Sequence, residues 1–382
     1  MKPCTQAVFH DNFCQMGGAE RVAEELHRAL VEVGPTALHT TLSAPEILTP
    51  YLQNAGIQTT WMQMLPGRAK LFRAYFMLYP FAVDSADLQQ YDVLVSSCFG
   101  YAKGIHKRLA CAQKPAVVHI CYCHTPMRWV WRTEDYLARE KNSRIKTALL
   151  ALPLRWLRSW ETRAARQPDA YIANSQVVAD RLQRAFGVCA TVIPPPIDTQ
   201  RFRPLPGHEQ APPDDFYLVL SRLVPYKRFD LAIGACLALG RKLVVVGNGP
   251  DRARLEALAG ASPLIRFVGR ASDDVVADLA RRTRALLFPG EEDFGMTPLE
   301  VNAAGRPVVA WRGGGATETV IEGLNGVFFD RPTVESMAEA IVRLESQSWD
   351  ADAIRAHAAQ YDASVFRRRI QQFVAKTVEA AA

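Results

Sequence analysis

The chain has no apolar run long enough to cross a bilayer. Its longest strongly apolar stretch, Leu71 to Val83, is broken by Arg73 and Pro80, and it falls short of the roughly 20 residues that a membrane-spanning helix needs. The eight cysteines (4, 14, 98, 111, 121, 123, 189 and 236) include no CxxC pair. That excludes the common zinc and dithiol spacings and predicts reduced thiols. Cys121 and Cys123 share an apparent strand and are read as pointing to opposite faces, which makes them poor joint ligands. The opening residues, Met1 to Phe9, carry no basic segment followed by an apolar run and a small-residue cleavage site, so export is not expected. No zinc-finger or RNP-type signature is present, and nucleic acid is not an expected partner.

What is present is a globular composition. The 382 residues are 49% hydrophobic and 22% charged, ample for packed cores and long enough for two domains. The net charge of +6 is unevenly spread: residues 1–200 hold 22 basic and 16 acidic side chains, whereas 201–382 hold 23 of each. A mild positive excess confined to the first half suits an anionic lipid surface or a phosphorylated substrate.

Residues 4–10 read as a buried strand, followed by a Gly17-Gly18 turn and a helix with Val22, Ala23, Leu26, Ala29 and Leu30 at helical spacing. Further strands are predicted at 93–95, 116–120 and 170–173, then at 216–220, 243–246, 265–268, 285–288 and 307–310, with helical patterns between them. Such alternation predicts parallel sheets covered by helices. Val192 to Asp198 and Arg203 to Asp215 are rich in proline or polar residues and are read as the linker. The expected organisation is an α/β chain of two doubly wound, Rossmann-like domains, 1–200 and 201–363, facing each other across a cleft. A basic helix from Ser364 follows, placed to pack back on the first domain.

Two stretches carry chemistry. Pro289 to Glu300 contains Glu292 and Glu300 on either side of a glycine turn and a predicted helix start near Met296 and Thr297, with Pro298 in an early helical position. The unpaired N–H groups of such a helix start favour an anion such as a diphosphate. Ser221 to Arg228 follows the first strand of the second half, and there Arg222 offers a planar fork and Lys227 a point charge for a departing diphosphate, with Arg228 a bystander. Taken singly, acidic pairs and basic loops are more often solvated surface. No DxD-type acidic pair of the kind that holds a divalent ion beside a diphosphate is read, and the adjacent acids Asp273-Asp274 read as a helix N-terminal cap.

With the Gly313-Gly314-Gly315 loop, Glu318 and the Gly323-Leu324-Asn325-Gly326 turn, these stretches resemble, in order and over nearly the whole chain, the GT-B glycosyltransferases of family four. Those are retaining enzymes that use nucleotide sugars. The resemblance implies that Arg222 and Lys227 hold the donor diphosphate and that Glu300 binds ribose hydroxyls. It further implies that Glu292 and the backbone of Phe294, Gly295, Met296 and Thr297 hold the sugar and distal phosphate, and that Val268, Gly269 and Arg270 line the nucleobase pocket. Gly17 and Gly18 let the backbone approach donor and acceptor. His124 matches the family histidine near the reacting sugar, and Arg128 is placed to meet acceptor phosphate or to brace its loop.

The His124-Thr125-Pro126-Met127-Arg128-Trp129 form is similar to that of bacterial exopolysaccharide and O-antigen mannosyltransferases. It implies a retaining α-mannosyltransferase moving mannose from GDP-mannose to a polyprenyl-diphosphate-linked glycan, without metal or other cofactor, by same-face attack. UDP-linked glucose, galactose or N-acetylglucosamine, a GT-B sugar-nucleotide epimerase and a non-catalytic lipid-binding subunit remain alternatives. Residues 141–166 place Lys141, Arg144, Lys146, Arg155, Arg158, Arg163 and Arg166 against the single acid Glu161, interleaved with leucines, Trp156 and Trp160. This segment is either an anionic-membrane contact at the inner face of the cytoplasmic membrane or a core-packed helix with a solvated basic face.

Overall fold

Short apolar strands alternate with helices throughout a computed structural model that describes residues 5–106, 116–131, 133, 143–209 and 211–381, with backbone alone for 143–149. They sort into two units. The first comprises the residues up to Pro195 together with those from Ser364 on, and the second is Pro196–Ala363. The division therefore falls inside the Pro194-Pro195-Pro196 run, a few residues before the boundary expected at 200.

The first unit holds a seven-stranded sheet in the order β3-β2-β1-β4-β5-β6-β7. Its strands are β1 (Gln6–His10), β2 (Thr36–Thr40), β3 (Gln58–Thr59), β4 (Val93–Cys98), β5 (Val118–Cys123), β6 (Ala170–Ala173) and β7 (Thr191–Val192). All pair in parallel, and a parallel sheet must be covered on both faces. On one face Val8, Ile120 and Tyr122 pack with Leu26 of the Gly18–Val31 helix and with Phe366, Ile370 and Val374 of the Ala363–Ala381 helix. That last helix is further tied to the first by Arg367 on Glu25 at 2.7 Å.

On the other face Cys121 and Cys123 lie together with Cys98, Leu157 and Trp160. Successive strand residues alternate faces, so positions two apart share one. The expectation that Cys121 and Cys123 diverge is thus corrected.

The Ser143–Ala164 helix packs by Leu154, Leu157, Trp160 and Ala164. Trp160 lies against Gly104, where a Cβ would come within 2.6 Å of the indole. Trp156 is half-buried and stacks on Phe81 at 6.0 Å. The two tryptophans thus pack against protein, as the core-packed alternative has it; Arg155, Arg158, Arg163, Arg166 and Leu152 remain exposed. Lys141 and the side chains of Arg144 and Lys146 lie outside the described residues.

Glu161 is no surface acid. Its carboxylate and the Lys103 ammonium are fully buried and paired at 2.5 Å. It also accepts from Met127 N at 2.9 Å and Trp131 Nε1 at 2.6 Å. No helix of the described residues is long and apolar enough to cross a membrane.

The second unit holds a six-stranded sheet in the order β10-β9-β8-β11-β12-β13. Here β8 is Tyr217–Leu220, β9 Leu243–Val246, β10 Ile265–Gly269, β11 Leu286–Phe288, β12 Val308–Trp311 and β13 Gly326–Phe329, again all parallel. Alternating side chains feed two cores, Val219, Val245, Leu287 and Val309 on one face and Leu218, Val244, Leu286 and Val308 on the other. The Asp273–Arg282 helix is capped by Ser272, whose hydroxyl accepts from Val275 N; Asp273 and Asp274 occupy its first turn, one residue later than expected.

Removing one partner of a buried ion pair leaves an uncompensated charge, typically at a cost of about 3–5 kcal/mol. Glu161→Ala should destabilise the first unit by about that amount, measured as a lowered urea midpoint of the full chain.

Candidate functional site

In the second unit the strand order reverses between β8 and β11, and ligands of such sheets bind outside the carboxyl ends at the reversal. The loops leaving these two strands meet there. Gly290 lies so close to the Lys227 backbone that a Cβ would stand 2.7 Å from its Cα. Across this contact the Lys227 ammonium forms an ion pair with Glu292, the two side chains being 13% and 17% exposed. Arg222, on the same loop as Lys227, is exposed and makes no ion pair or hydrogen bond with another described residue. Arg228 adopts a left-handed backbone at φ 53° and pairs with Asp230, so it shapes the turn before the Phe229–Leu239 helix.

The β11 loop runs into the Met296–Ala303 helix through Gly295, whose φ of +88° suits glycine alone. Met296, Thr297 and Pro298 form its first turn and Glu300, half-buried, sits one turn in. The β12 loop is pressed onto this segment: Gly315 N donates to Glu292 O at 2.9 Å, and a Cβ at Gly314 would lie 2.3 Å from that same carbonyl oxygen. Asn325 in the Gly323–Gly326 turn pins the far end, donating to Asn302 Oδ1 and to Thr319 O, each at 2.9 Å. Val268, Gly269 and exposed Arg270 stand at the end of β10, on the other side of β9, with Gly247 N donating to Gly269 O at 2.8 Å.

The geometry thus gathers Lys227, Glu292, Gly295, Thr297 and the triple-glycine loop at one notch, and sets the 268–270 segment at the same sheet edge beyond β9. The expectation that no DxD-type acidic pair is present is corrected by Asp350-Ala351-Asp352, which has that spacing. Asp350 caps the Ala351–Ala359 helix and Asp352 pairs with Arg355. Among the described residues no group of three or more His, Cys, Asp or Glu is gathered as a metal site.

In the first unit the order reverses between β1 and β4. Gly17 caps the Gly18–Val31 helix with extended backbone, its N–H donating to Glu20 Oε2 at 2.9 Å. Asp11, just past β1, accepts from the N–H groups of Phe99, Tyr101 and Ala102 at 2.6–2.7 Å and fixes the loop after β4; burial raises its pKa above the usual value.

His124 follows β5. Its N–H donates to Cys98 O at 2.8 Å, its carbonyl accepts from Asn174 Nδ2 at 2.9 Å, and its Nε2 lies 2.9 Å from Ser97 Oγ. Ser97 Oγ is in turn 3.0 Å from His10 Nδ1. Burial lowers both imidazoles to about 3, so both are neutral at physiological pH. Arg128 is half-buried at the start of the Arg128–Trp131 turn of helix, which Glu161 holds at both ends.

The sequence reading missed His10, Asp11 and Ser97. Applying the strand-end rule to β1, as to β5, would have found the first two; Ser97 lay beyond a strand taken to stop at 95.

Residues 16–201 match the family described as Glycosyltransferase Family 4, and residues 206–361 the one described as Glycosyl transferases group 1. Solved structures match the fold over almost the full length. Sucrose-phosphate synthase of Thermosynechococcus elongatus gives a TM-score of 0.71 over 99% of this chain and 100% of that one, at 17% identity. HepE of Anabaena, crystallised with UDP and glucose, gives 0.65 over 97% and 99%, at 18% identity. Two parallel Rossmann-like units of this kind define the GT-B class. Within it, the chain belongs to the glycosyltransferases of family four.

Over 202 residues, 46% of this chain and 52% of the relative, it is 34% identical to the GDP-mannose-dependent alpha-(1-6)-phosphatidylinositol monomannoside mannosyltransferase of Mycobacterium tuberculosis. Over 206 residues, 47% and 45%, it is 30% identical to D-inositol 3-phosphate glycosyltransferase of Streptomyces bingchenggensis. The matched segment spans about half the length of these curated relatives.

A histidine held near 3 when folded but free to protonate near 6.5 when unfolded adds stability above pH 6.5, and that stability is lost as the pH falls towards 3. His124→Asn should therefore flatten the fall in unfolding free energy between roughly pH 6 and 4, by at most about 1.4 kcal/mol per pH unit, as read from urea titrations.

Proposed function

We propose that the protein is a retaining α-mannosyltransferase that moves mannose from GDP-mannose to a polyprenyl-diphosphate-linked oligosaccharide in exopolysaccharide or O-antigen assembly, as a peripheral protein on the inner face of the cytoplasmic membrane. The transfer chemistry rests on one observation: Lys227 paired with Glu292 at the strand-order reversal of the second unit, with Arg222 on the same loop and the Met296–Ala303 helix opening beside it. Breaking the bond between the anomeric carbon and the diphosphate loads negative charge onto the departing oxygen. Preorganised cations and helix N–H groups lower that barrier most. Lys227 and Arg222 supply the cations and the N–H groups of Met296 and Thr297 the helix start.

In this reading Glu300 takes the ribose hydroxyls, and Glu292 with the backbone of Phe294 to Thr297 takes the sugar and distal phosphate. The main chain of Val268 to Arg270 lines the base. The first unit contributes Gly17 and Gly18, where the backbone comes close to donor and acceptor, and Arg128 for acceptor phosphate. Neutral His124 serves as a hydrogen-bond partner of a hydroxyl on the transferred sugar and not as an acid. The acceptor hydroxyl attacks from the face the diphosphate leaves, and the departing phosphate oxygen takes its proton.

Mannose and GDP are supported by the His124–Trp131 motif and by the GDP-mannose-dependent relative. The lipid-linked acceptor is supported by an exposed basic and apolar face of the first unit, with Leu152 and Arg155 on the Ser143–Ala164 helix and Phe81 stacked against Trp156 of that helix.

Lys227→Ala and Arg222→Ala should each lower turnover by about 100-fold or more, with the fold unchanged by circular dichroism. A mass-spectrometric screen of nucleotide sugars should find transfer from GDP-mannose; consumption of UDP-glucose but not GDP-mannose would reverse the sugar assignment. Replacing Arg155 and Arg163 by Glu should abolish co-sedimentation with phosphatidylglycerol vesicles while leaving binding of GDP intact.

A further inference from the structure

A neutral imidazole has one donor and one acceptor nitrogen, so a histidine that must donate at one position needs its proton kept off the other. In the first unit three side chains from three neighbouring strand ends form a chain. His10 ends β1 and pairs in register with Ser97 of β4, and His124 follows β5, the next strand. His10 Nδ1 lies 3.2 Å from the Ser97 carbonyl oxygen as well as 3.0 Å from its hydroxyl. Ser97 Oγ then lies 2.9 Å from His124 Nε2.

The proton positions follow from which groups can only accept. The Ser97 carbonyl is an acceptor, so the nitrogen facing it must be the protonated one; a bare Nδ1 would set two lone pairs against each other. His10 Nε2 is a buried atom with no hydrogen-bond partner among the described residues. A bare lone pair there is tolerable, whereas a buried orphan N–H is not. Both facts assign His10 as the Nδ1–H tautomer. Its N–H is then directed at Ser97, whose hydroxyl accepts from it and turns its own hydrogen to His124 Nε2. That nitrogen must be an acceptor, and the proton of the neutral His124 ring is on Nδ1. His124 Nδ1 makes no hydrogen bond with a described residue.

We propose that Ser97 and His10 are positioning residues that hold His124 in the Nδ1–H tautomer, making it an obligate N–H donor towards a sugar hydroxyl oxygen. This rests on the role given to His124 above. The opposite tautomer of His10 would reverse every bond in the chain and present a bare acceptor nitrogen instead. Burial keeps both rings uncharged, and the Ser97 carbonyl sets the direction of the chain.

The test uses the full chain with histidine labelled in both ring nitrogens, and its long-range ¹H–¹⁵N spectrum. His124 should show a pyrrole-type Nδ1 and a pyridine-type Nε2. Ser97→Ala should turn this into a mixture of tautomers and lower kcat with GDP-mannose about tenfold or more, with KM for the donor within about twofold. Ser97→Thr, which keeps the hydroxyl, should restore both tautomer and rate. His10→Phe, which keeps the ring against Phe13, should also release the tautomer. A wild-type His124 protonated on Nε2, or a tautomer unmoved by Ser97→Ala, overturns the proposal. A tautomer that moves while Ser97→Ala and His124→Ala both keep wild-type kcat upholds the relay and overturns instead the part given to His124 in transfer.

Discussion

When the strand order of a parallel sheet reverses, the right-handed connections on the two sides of the reversal run to opposite faces, and the loops at the carboxyl ends part at that point. Both units obey this constraint, at β1/β4 and at β8/β11, and the polar groups used here collect where it acts. The two notches are furnished differently. In the second unit Lys227 and Glu292 form an ion pair that retains some exposure, which suits the diphosphate proposed to bind there. In the first, His10 and Ser97 are wholly buried and His124 nearly so. Burial there strips the imidazoles of charge and leaves directional neutral hydrogen bonds, which suit hydroxyl groups. One topology thus yields two chemistries through the depth at which the polar atoms lie.

Much of this was legible in the sequence where the signal is local. The strands at 170–173 and 243–246 have the expected bounds, and the remaining predicted strands lie within a few residues of theirs, because buried parallel strands are near-continuous apolar runs. β2 went unseen because Thr36-Ala37-Leu38-His39-Thr40 is more polar than such a run, and β3 and β7 because two-residue strands carry no period. β13 was absorbed into the preceding glycine turn. The Pro289–Glu300 stretch could be placed on a helix start because glycine, proline and acids at fixed offsets mark one. The chain through His10, Ser97 and His124 could not be read, since it depends on the register of three strands widely separated in sequence. The placement of Trp156 and Trp160 stayed open for a related reason: a helix with aromatics among arginines does not declare which face is covered.

Glu161 connects these levels. The single acid in a basic segment, it is the carboxylate that receives Met127 N and Trp131 Nε1 and balances Lys103. The shape of the loop after His124 is therefore set by a residue on the helix that bears the exposed arginines. Arg158 of that helix reinforces the link, donating to the Val130 carbonyl at 2.9 Å.

The Ala363–Ala381 helix lies in the first unit although the whole second unit precedes it in the chain. During synthesis on the ribosome, the second unit has all its strands once residue 363 has emerged. The first must wait, with Val8, Leu26 and Tyr122 lacking their partners Phe366 and Ile370 until this helix arrives. The unit translated earlier is consequently the one that closes later, and its incomplete apolar face is the surface a chaperone would meet on the nascent polypeptide.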